Sequence, residues 1–143
     1  MFFKRILSKL LLIWGILLLF SPGEAMLTQI YKFTGIQIPY DLKYEDFILE
    51  KGKYDFQILV HHKTQQLHLR ILKKGKGICS VLGERLRYES YGRERMKDPN
   101  IPDQPTLKII KHPTEKKVSI IFESGKKTRI YPLVKAVFKM EYE

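Results

Sequence analysis

The sequence predicts an all-β fold, a single antiparallel meander sandwich or small barrel of about seven to nine strands, preceded by a helical signal peptide. Apolar and polar residues alternate with a period of two over much of the chain, as in strands with one buried face. Turn residues recur about every 8–12 positions between these runs. A chain of 143 residues favours one domain, and its single cysteine rules out a disulfide scaffold within the chain.

The N-terminus has the three parts of a secretory signal peptide. Basic Lys4, Arg5 and Lys9 precede the apolar run Leu10–Phe20, and small residues precede a cleavage site after Ala25. We therefore expect residues 1–25 to be removed on export to the periplasm or the exterior of a bacterial cell, leaving residues 26–143 as the domain. The alternative is a membrane anchor formed by residues 2–20. We expect no stable transmembrane segment, because eleven apolar residues span only about 17 Å of a hydrocarbon core of about 30 Å.

The first part of the domain alternates strongly. Only Met26–Phe33 could begin as a helix, and it is short. Ile36–Tyr44 then alternates as one strand, in which Pro39 marks a sheet edge or a bulge because proline cannot donate to the ladder. Phe47–Leu49 follows, and Glu50–Lys53 supplies a turn.

The middle of the chain predicts a meander of short strands. Tyr54, Phe56, Ile58 and Val60 form the apolar side of one strand, and Leu67, Leu69 and Ile71 form that of its hairpin partner. The glycine-rich Lys73–Gly77 segment is a turn. Two further strands are expected at Ile78–Leu82 and Arg85–Tyr88, separated by Gly83.

A long loop, residues 89–105, interrupts the alternation, and loops of this length in compact domains are usually functional or loosely packed. Strands are expected to resume afterwards in four segments, Leu107–His112, Lys117–Phe122, Thr128–Tyr131 and Val134–Tyr142.

The motifs of the common enzyme classes do not occur in the sequence. It contains no Gly-x-Ser-x-Gly elbow, no His-Glu-x-x-His, no phosphate-binding Gly-x-x-x-x-Gly-Lys-Ser/Thr and no Cys-x-x-Cys. We therefore expect no catalytic residues, no cofactor and no enzymatic activity. His61, His62 and His68 lie on two hairpin strands, where cross-strand imidazoles can bind zinc or copper. Because His61 and His62 point to opposite faces and no third ligand is placed, exposed histidines are the preferred interpretation, with metal binding as the alternative.

Cys79 lies within a predicted strand, so we interpret it as a small buried apolar residue. In an oxidising compartment the alternative is a reactive thiol or an intermolecular disulfide.

Basic residues dominate the charge of the chain. The formal net charge is +11, and the domain without its leader carries 23 cations against 14 carboxylates. The densest run of cations and aromatic residues is our candidate binding surface, made of Arg85, Arg87, Tyr88, Tyr91, Arg93, Arg95 and Lys97. Export disfavours nucleic acid as a partner, so we expect this surface to bind an anionic lipid, an envelope polysaccharide or an acidic protein patch. The alternative is a solvated surface of ion pairs, because Glu84, Glu89 and Glu94 lie among these cations.

A second functional hypothesis is a small barrel that carries an apolar ligand. The residues that would line its cavity are aromatic, and they fill the core equally well: Phe47, Tyr54, Phe56, Phe122, Phe138 and Tyr142.

The stretch from Phe47 to Phe56, with Leu67–Ile71 and Lys74–Lys76, resembles small exported β-domain proteins of soil and thermophilic bacteria. Those proteins carry a strand, a Leu-Pro-Ala-Gly-x-Tyr segment and a second strand. Gly52 and Tyr54 match that segment, whereas Glu50-Lys51 replaces Pro-Ala. The resemblance implies an exported bacterial β domain, and it implies no activity.

Overall fold

The computed structural model describes residues 26–90, 92–127 and 133–142. The leader, residues 1–25, and the strand predicted at Thr128–Tyr131 lie outside these residues. The described elements are β1 (Leu27–Ile38), β2 (Leu42–Tyr44), β3 (Phe47–Leu49), β4 (Gly52–His61), β5 (Leu67–Lys73), β6 (Lys76–Leu86), a 3₁₀ helix (Gly92–Lys97), β7 (Thr106–His112), β8 (Lys117–Glu123) and β9 (Lys135–Tyr142).

The strands form one antiparallel sheet that curls into a half-barrel, so the all-β prediction is confirmed. Within the order β1-β4-β5-β6-β9, only β4, β5 and β6 are consecutive in the chain, and β8 and β7 continue the sheet beyond β9. The neighbours β1–β4 and β6–β9 are not consecutive, so the sheet is not the single meander that the sequence predicts. β9 is the central strand. Its one edge pairs with β8 along nearly its whole length, whereas β6 and β2 share the other edge.

The core lies on the inner face of the curl, where alternate residues of the strands meet. Phe56, Phe122 and Phe138 are its largest fully buried side chains. The alternation predicted for β4, β5 and β9 is confirmed in these buried side chains: Tyr54, Ile58, Leu67, Leu69, Ile71, Ala136 and Met140. Val60 and Tyr142, which belong to the same predicted sets, are half-buried. β8 also alternates, with Val118 and Ile120 buried.

β1 corrects the suggestion that Met26–Phe33 begins a helix. Ile30, Phe33 and Ile36 of β1 pack against the core at intervals of three, and Ile38, two residues further on, is fully buried. The pairing with β4 shifts register between Gln29 and Tyr31 and again between Phe33 and Ile36. Because each shift moves the inner face along by one residue, a bulged strand acquires the spacing of a helix.

The prediction of a single strand at Ile36–Tyr44 is wrong, because strand structure is interrupted around Pro39. β1 ends at Ile38 and pairs with β4, whereas β2 begins at Leu42 and pairs with β9 and β3. Proline lacks the N–H that would continue the ladder, so it stands where the chain leaves one region of the sheet for another.

The two strands predicted at Ile78–Leu82 and Arg85–Tyr88 are instead one continuous strand, β6. It runs through Gly83, pairs with β5 up to Leu82 and pairs with β9 from Gly83 to Leu86. The residue expected to end a strand is therefore the one at which the strand changes partner.

Candidate functional site

The candidate site is the loop between β6 and β7, residues 87–105, which we call the basic loop. It leaves β6 after Leu86, which pairs with the first residue of β9, and it returns at Thr106, which pairs with the last residue of β8. Both ends therefore lie at the same border of the sheet. Ile101 anchors the loop, because only 2% of its surface is exposed. The amide of Lys126 also donates to Pro102 O at 2.9 Å.

Asp98 holds the 3₁₀ helix in place. Its carboxylate accepts hydrogen bonds from the amide of Asn100 at 2.9 Å and from Ser90 Oγ at 2.8 Å. These two bonds lower the pKa of Asp98, and the bond from the Asn100 amide has the larger effect. The nearby charge of Lys126 lowers this pKa further. Arg95 Nε donates to Ser90 O at 2.8 Å, so the helix is fixed at both Arg95 and Asp98.

Tyr88, near the start of the basic loop, has two cations close to its ring. The Arg95 guanidinium and Lys135 Nζ are 5.9 Å and 5.8 Å from the centre of its ring, within the range of cation–π attraction. Lys135 also pairs with buried Glu123 at 3.4 Å. Burial, with the Glu123 charge as a second cause, raises the pKa of Tyr88 to about 12, so its hydroxyl is neutral at physiological pH.

A cavity of about 310 Å³ opens beside Tyr88. Three carboxylates line it, those of Glu89, Asp98 and Glu123, against two cations, Arg87 and Lys135. Carboxylates outnumber cations there, so the cavity itself does not favour an anion. Any attraction for anions must come from the exposed cations of the loop, one of which, Arg87, also lines this cavity.

The predicted site residues separate into three groups. Arg87, Arg93 and Lys97 are exposed, and Arg95 and Tyr88 are half-buried parts of the loop's own framework. Arg85 is exposed on β6, but its Nε donates to Gln65 O at 3.0 Å in the turn between β4 and β5. Tyr91 lies outside the described residues.

Sequence reasoning missed two features of this site. One is the contact between Tyr88 and the Glu123–Lys135 pair, which the β8–β9 register places side by side and no local pattern reveals. The other is Met96, which is 57% exposed on the 3₁₀ helix. Residues three apart lie on the same side of a 3₁₀ helix. The spacings Arg93–Met96 and Arg95–Asp98 could therefore have indicated that Met96 and Arg95 lie on different sides of the helix.

The histidines are placed in strand-end hydrogen bonds. His61 Nδ1 accepts from the amides of Lys63 and Thr64, each at 3.3 Å, and His62 Nε2 bonds to Thr28 Oγ1. Burial lowers the pKa of His68, and the neighbouring charge of His61 lowers it further. Among the described residues, no group of three or more His, Cys, Asp or Glu side chains is arranged to bind a metal ion.

Cys79 is half-buried on β6 and packs against the core. Burial, followed by the charge of Glu45, raises the pKa of its thiol, so the protonated form is favoured.

Comparison with known proteins finds no family model, no curated protein and no solved structure that matches this chain. In the part of the chain that the structure describes, none of the helices has the length and apolar character needed to cross a membrane.

Proposed function

We propose that this is an exported, non-enzymatic bacterial protein of the cell envelope, which binds an anionic envelope component through the outside of the basic loop. The observation that carries the proposal is the exposure of Arg87, Arg93 and Lys97 on a loop that is fixed to the sheet. The composition of residues 1–25 supports export.

The fixed loop favours binding because little conformational entropy remains to be lost when its cations meet a ligand. Lys126 contributes to this rigidity, since its Nζ donates to Asp98 O at 2.8 Å and pairs with Asp103 at 3.7 Å. Exposed Glu89 and Glu94 share the loop with the cations, so the local excess of positive charge is small. The excess of cations over the whole domain adds long-range attraction to any anionic surface.

The test is a triple charge reversal, Arg87→Glu, Arg93→Glu and Lys97→Glu, in protein recovered from cells that express the full gene. Binding is measured to vesicles containing phosphatidylglycerol and to dextran sulfate, a polyanion without lipid. Each basic residue near an anionic surface contributes about 1 kcal/mol, so we expect the variant to bind at least about tenfold more weakly.

The matched control reverses three exposed lysines on the β1–β4 side, Lys32→Glu, Lys53→Glu and Lys63→Glu. It changes the net charge by the same amount and is expected to lose much less affinity. Equal losses in the two variants would contradict a defined binding surface, and binding of neither ligand by the wild-type protein would overturn the proposed function.

A further inference from the structure

The outward side of the 3₁₀ helix combines one apolar side chain with cations. Met96 is 57% exposed, more than the other exposed large apolar side chains of the described residues. Arg93 lies one turn before it on the same side of the helix, and Lys97 is the next residue; both are exposed.

The exposure of Met96 follows from how the helix is held. Arg95 and Asp98, also three residues apart, form the side that faces the domain, and both hydrogen-bond to Ser90. The amide of Asp98 donates to Arg95 O at 3.3 Å, which continues the 3₁₀ turn between them. Met96 cannot rotate toward the core without breaking these bonds, so it is held in solvent.

We propose that Met96 inserts into the interface of an anionic lipid bilayer while Arg93 and Lys97 contact lipid phosphates. This inference rests on the proposed function and names its ligand as the surface of an anionic membrane. Burial of Met96 in the apolar part of a bilayer is favourable, whereas a polysaccharide or another polyanion interacts with the loop through charge alone.

Exposed cations outnumber exposed carboxylates on the helix around Met96, with Arg93 and Lys97 against Glu94. Ile48 on β3 is 51% exposed, close to the value for Met96. Glu45 and Asp46, both exposed, precede its strand at the turn from β2, and Lys43 of β2 pairs directly with Ile48. The two carboxylates outnumber that cation, so Ile48 provides a control of similar exposure without an excess of positive charge.

A single tryptophan tests insertion directly. The only tryptophan of the chain is Trp14, so Trp14→Phe combined with Met96→Trp leaves one fluorophore at the proposed contact, whether or not the leader is cleaved. With vesicles containing phosphatidylglycerol, we expect emission at shorter wavelength and quenching by brominated lipid. We expect neither change with neutral phosphatidylcholine vesicles or with dextran sulfate. The control, Trp14→Phe with Ile48→Trp, is expected to keep the emission of an exposed indole.

A second variant measures the energetic share of the side chain. Met96→Ser is expected to weaken binding to vesicles containing phosphatidylglycerol about five- to tenfold and to leave binding to dextran sulfate unchanged. Ile48→Ser should bind both ligands as the wild type does.

The outcomes separate the two proposals. If the indole at position 96 stays exposed on anionic vesicles, or Met96→Ser binds them as tightly as the wild type, the membrane inference is overturned. Continued sensitivity to the triple charge reversal would then leave the proposed function intact. Binding of neither vesicles nor dextran sulfate would remove both.

Discussion

Gly83 is the residue at which β6 passes from β5 to β9, and the ring of Phe138 packs against it. A Cβ at this position would lie 2.8 Å from Phe138 Cδ1 and closer still to Cε1. Because Phe138 is fully buried, its ring has no free space to move into. We predict that Gly83→Ala lowers the free energy of unfolding by about 1–3 kcal/mol, measured by urea denaturation.

Gly77 on the same strand provides the control. A Cβ there would meet Arg70 Cδ at 3.3 Å, on a long side chain that can move aside. Gly77→Ala should therefore cost much less than Gly83→Ala. Similar losses for the two variants would show that Phe138 adapts and that Gly83 is not needed for the change of partner.

Tyr88 makes a contribution to the stability of the domain that is lost at alkaline pH. Its pKa in the folded chain is about 12, above the ordinary value of 10, so the folded state prefers the protonated phenol. That contribution is complete below the unfolded pKa and is lost as the pH rises through the folded pKa. We predict that between about pH 9 and about pH 11.5 the wild type loses more stability than Tyr88→Phe does. Parallel losses in denaturant titrations of the two proteins would contradict this role.

At the scale of single residues, the sequence predicted which side chains are buried better than which polar groups meet. Alternation along one strand identified Phe56 and Leu69 as core residues, because burial depends on strand geometry alone. The pairing of Glu123 with Lys135 depends on the register of two strands, and the stacking of Arg95 on Tyr88 depends on how a loop folds back. Neither leaves a local pattern.

Among the elements, the β5–β6 hairpin has a tight two-residue turn that is not optimal. Lys74 and Gly75 have φ values of 51° and 79°, and Lys73 pairs with Lys76. Two positive φ values define the turn that asparagine followed by glycine forms best. We predict that Lys74→Asn raises the free energy of unfolding by about 0.5 kcal/mol, seen as a higher melting temperature. Lys73→Asn, on the neighbouring strand position, should not stabilise; if both variants behave alike, turn geometry is not the cause.

Asp98, the residue after the 3₁₀ helix, holds the helix in place through its side-chain hydrogen bonds. Removing the carboxylate in Asp98→Ala deletes the bonds from Ser90 and Asn100. The helix should then open locally while the sheet stays folded, because the core lies elsewhere. We predict faster trypsin cleavage after Arg93, Arg95 and Lys97 with little change in melting temperature.

The control for this loop is Asp46→Ala, which removes an exposed carboxylate from the turn between β2 and β3. It should leave the cleavage rate in the basic loop unchanged. Equal cleavage of Asp98→Ala and the wild type would mean that the helix is held by other contacts.

Period-two alternation predicts strands only where pairing is regular. β4 and β5 obey it, and both were predicted within a few residues. β1 does not, because its two register shifts convert the spacing of its inward residues from two to three. The path of β6 also could not be predicted. A glycine that ends a strand and a glycine at which one continuous strand changes its pairing partner look the same in sequence.

For the whole molecule, the half-barrel supplies a rigid frame for a basic surface. The interior that an apolar ligand would occupy is where Phe56, Phe122 and Phe138 pack in one buried cluster. The outside carries most of the charge, and the basic loop is bonded to Lys126 and Lys127, which follow β8, and contacts Lys135 at the start of β9. Composition indicated a basic surface, whereas only the fold distinguishes exposed Arg93 and Lys97 from Arg95, which is half-buried and bonded within the loop.

The most direct test of anion binding is its salt dependence. We would measure the dissociation constant of the wild-type protein for vesicles containing phosphatidylglycerol from about 0.05 M to about 0.5 M salt, a range over which the screening length falls steeply. We predict tight binding at low salt that weakens steadily across the series, more steeply for the wild type than for the triple charge reversal. Binding that is absent at low salt, or that is equally strong at both ends of the range, would contradict it.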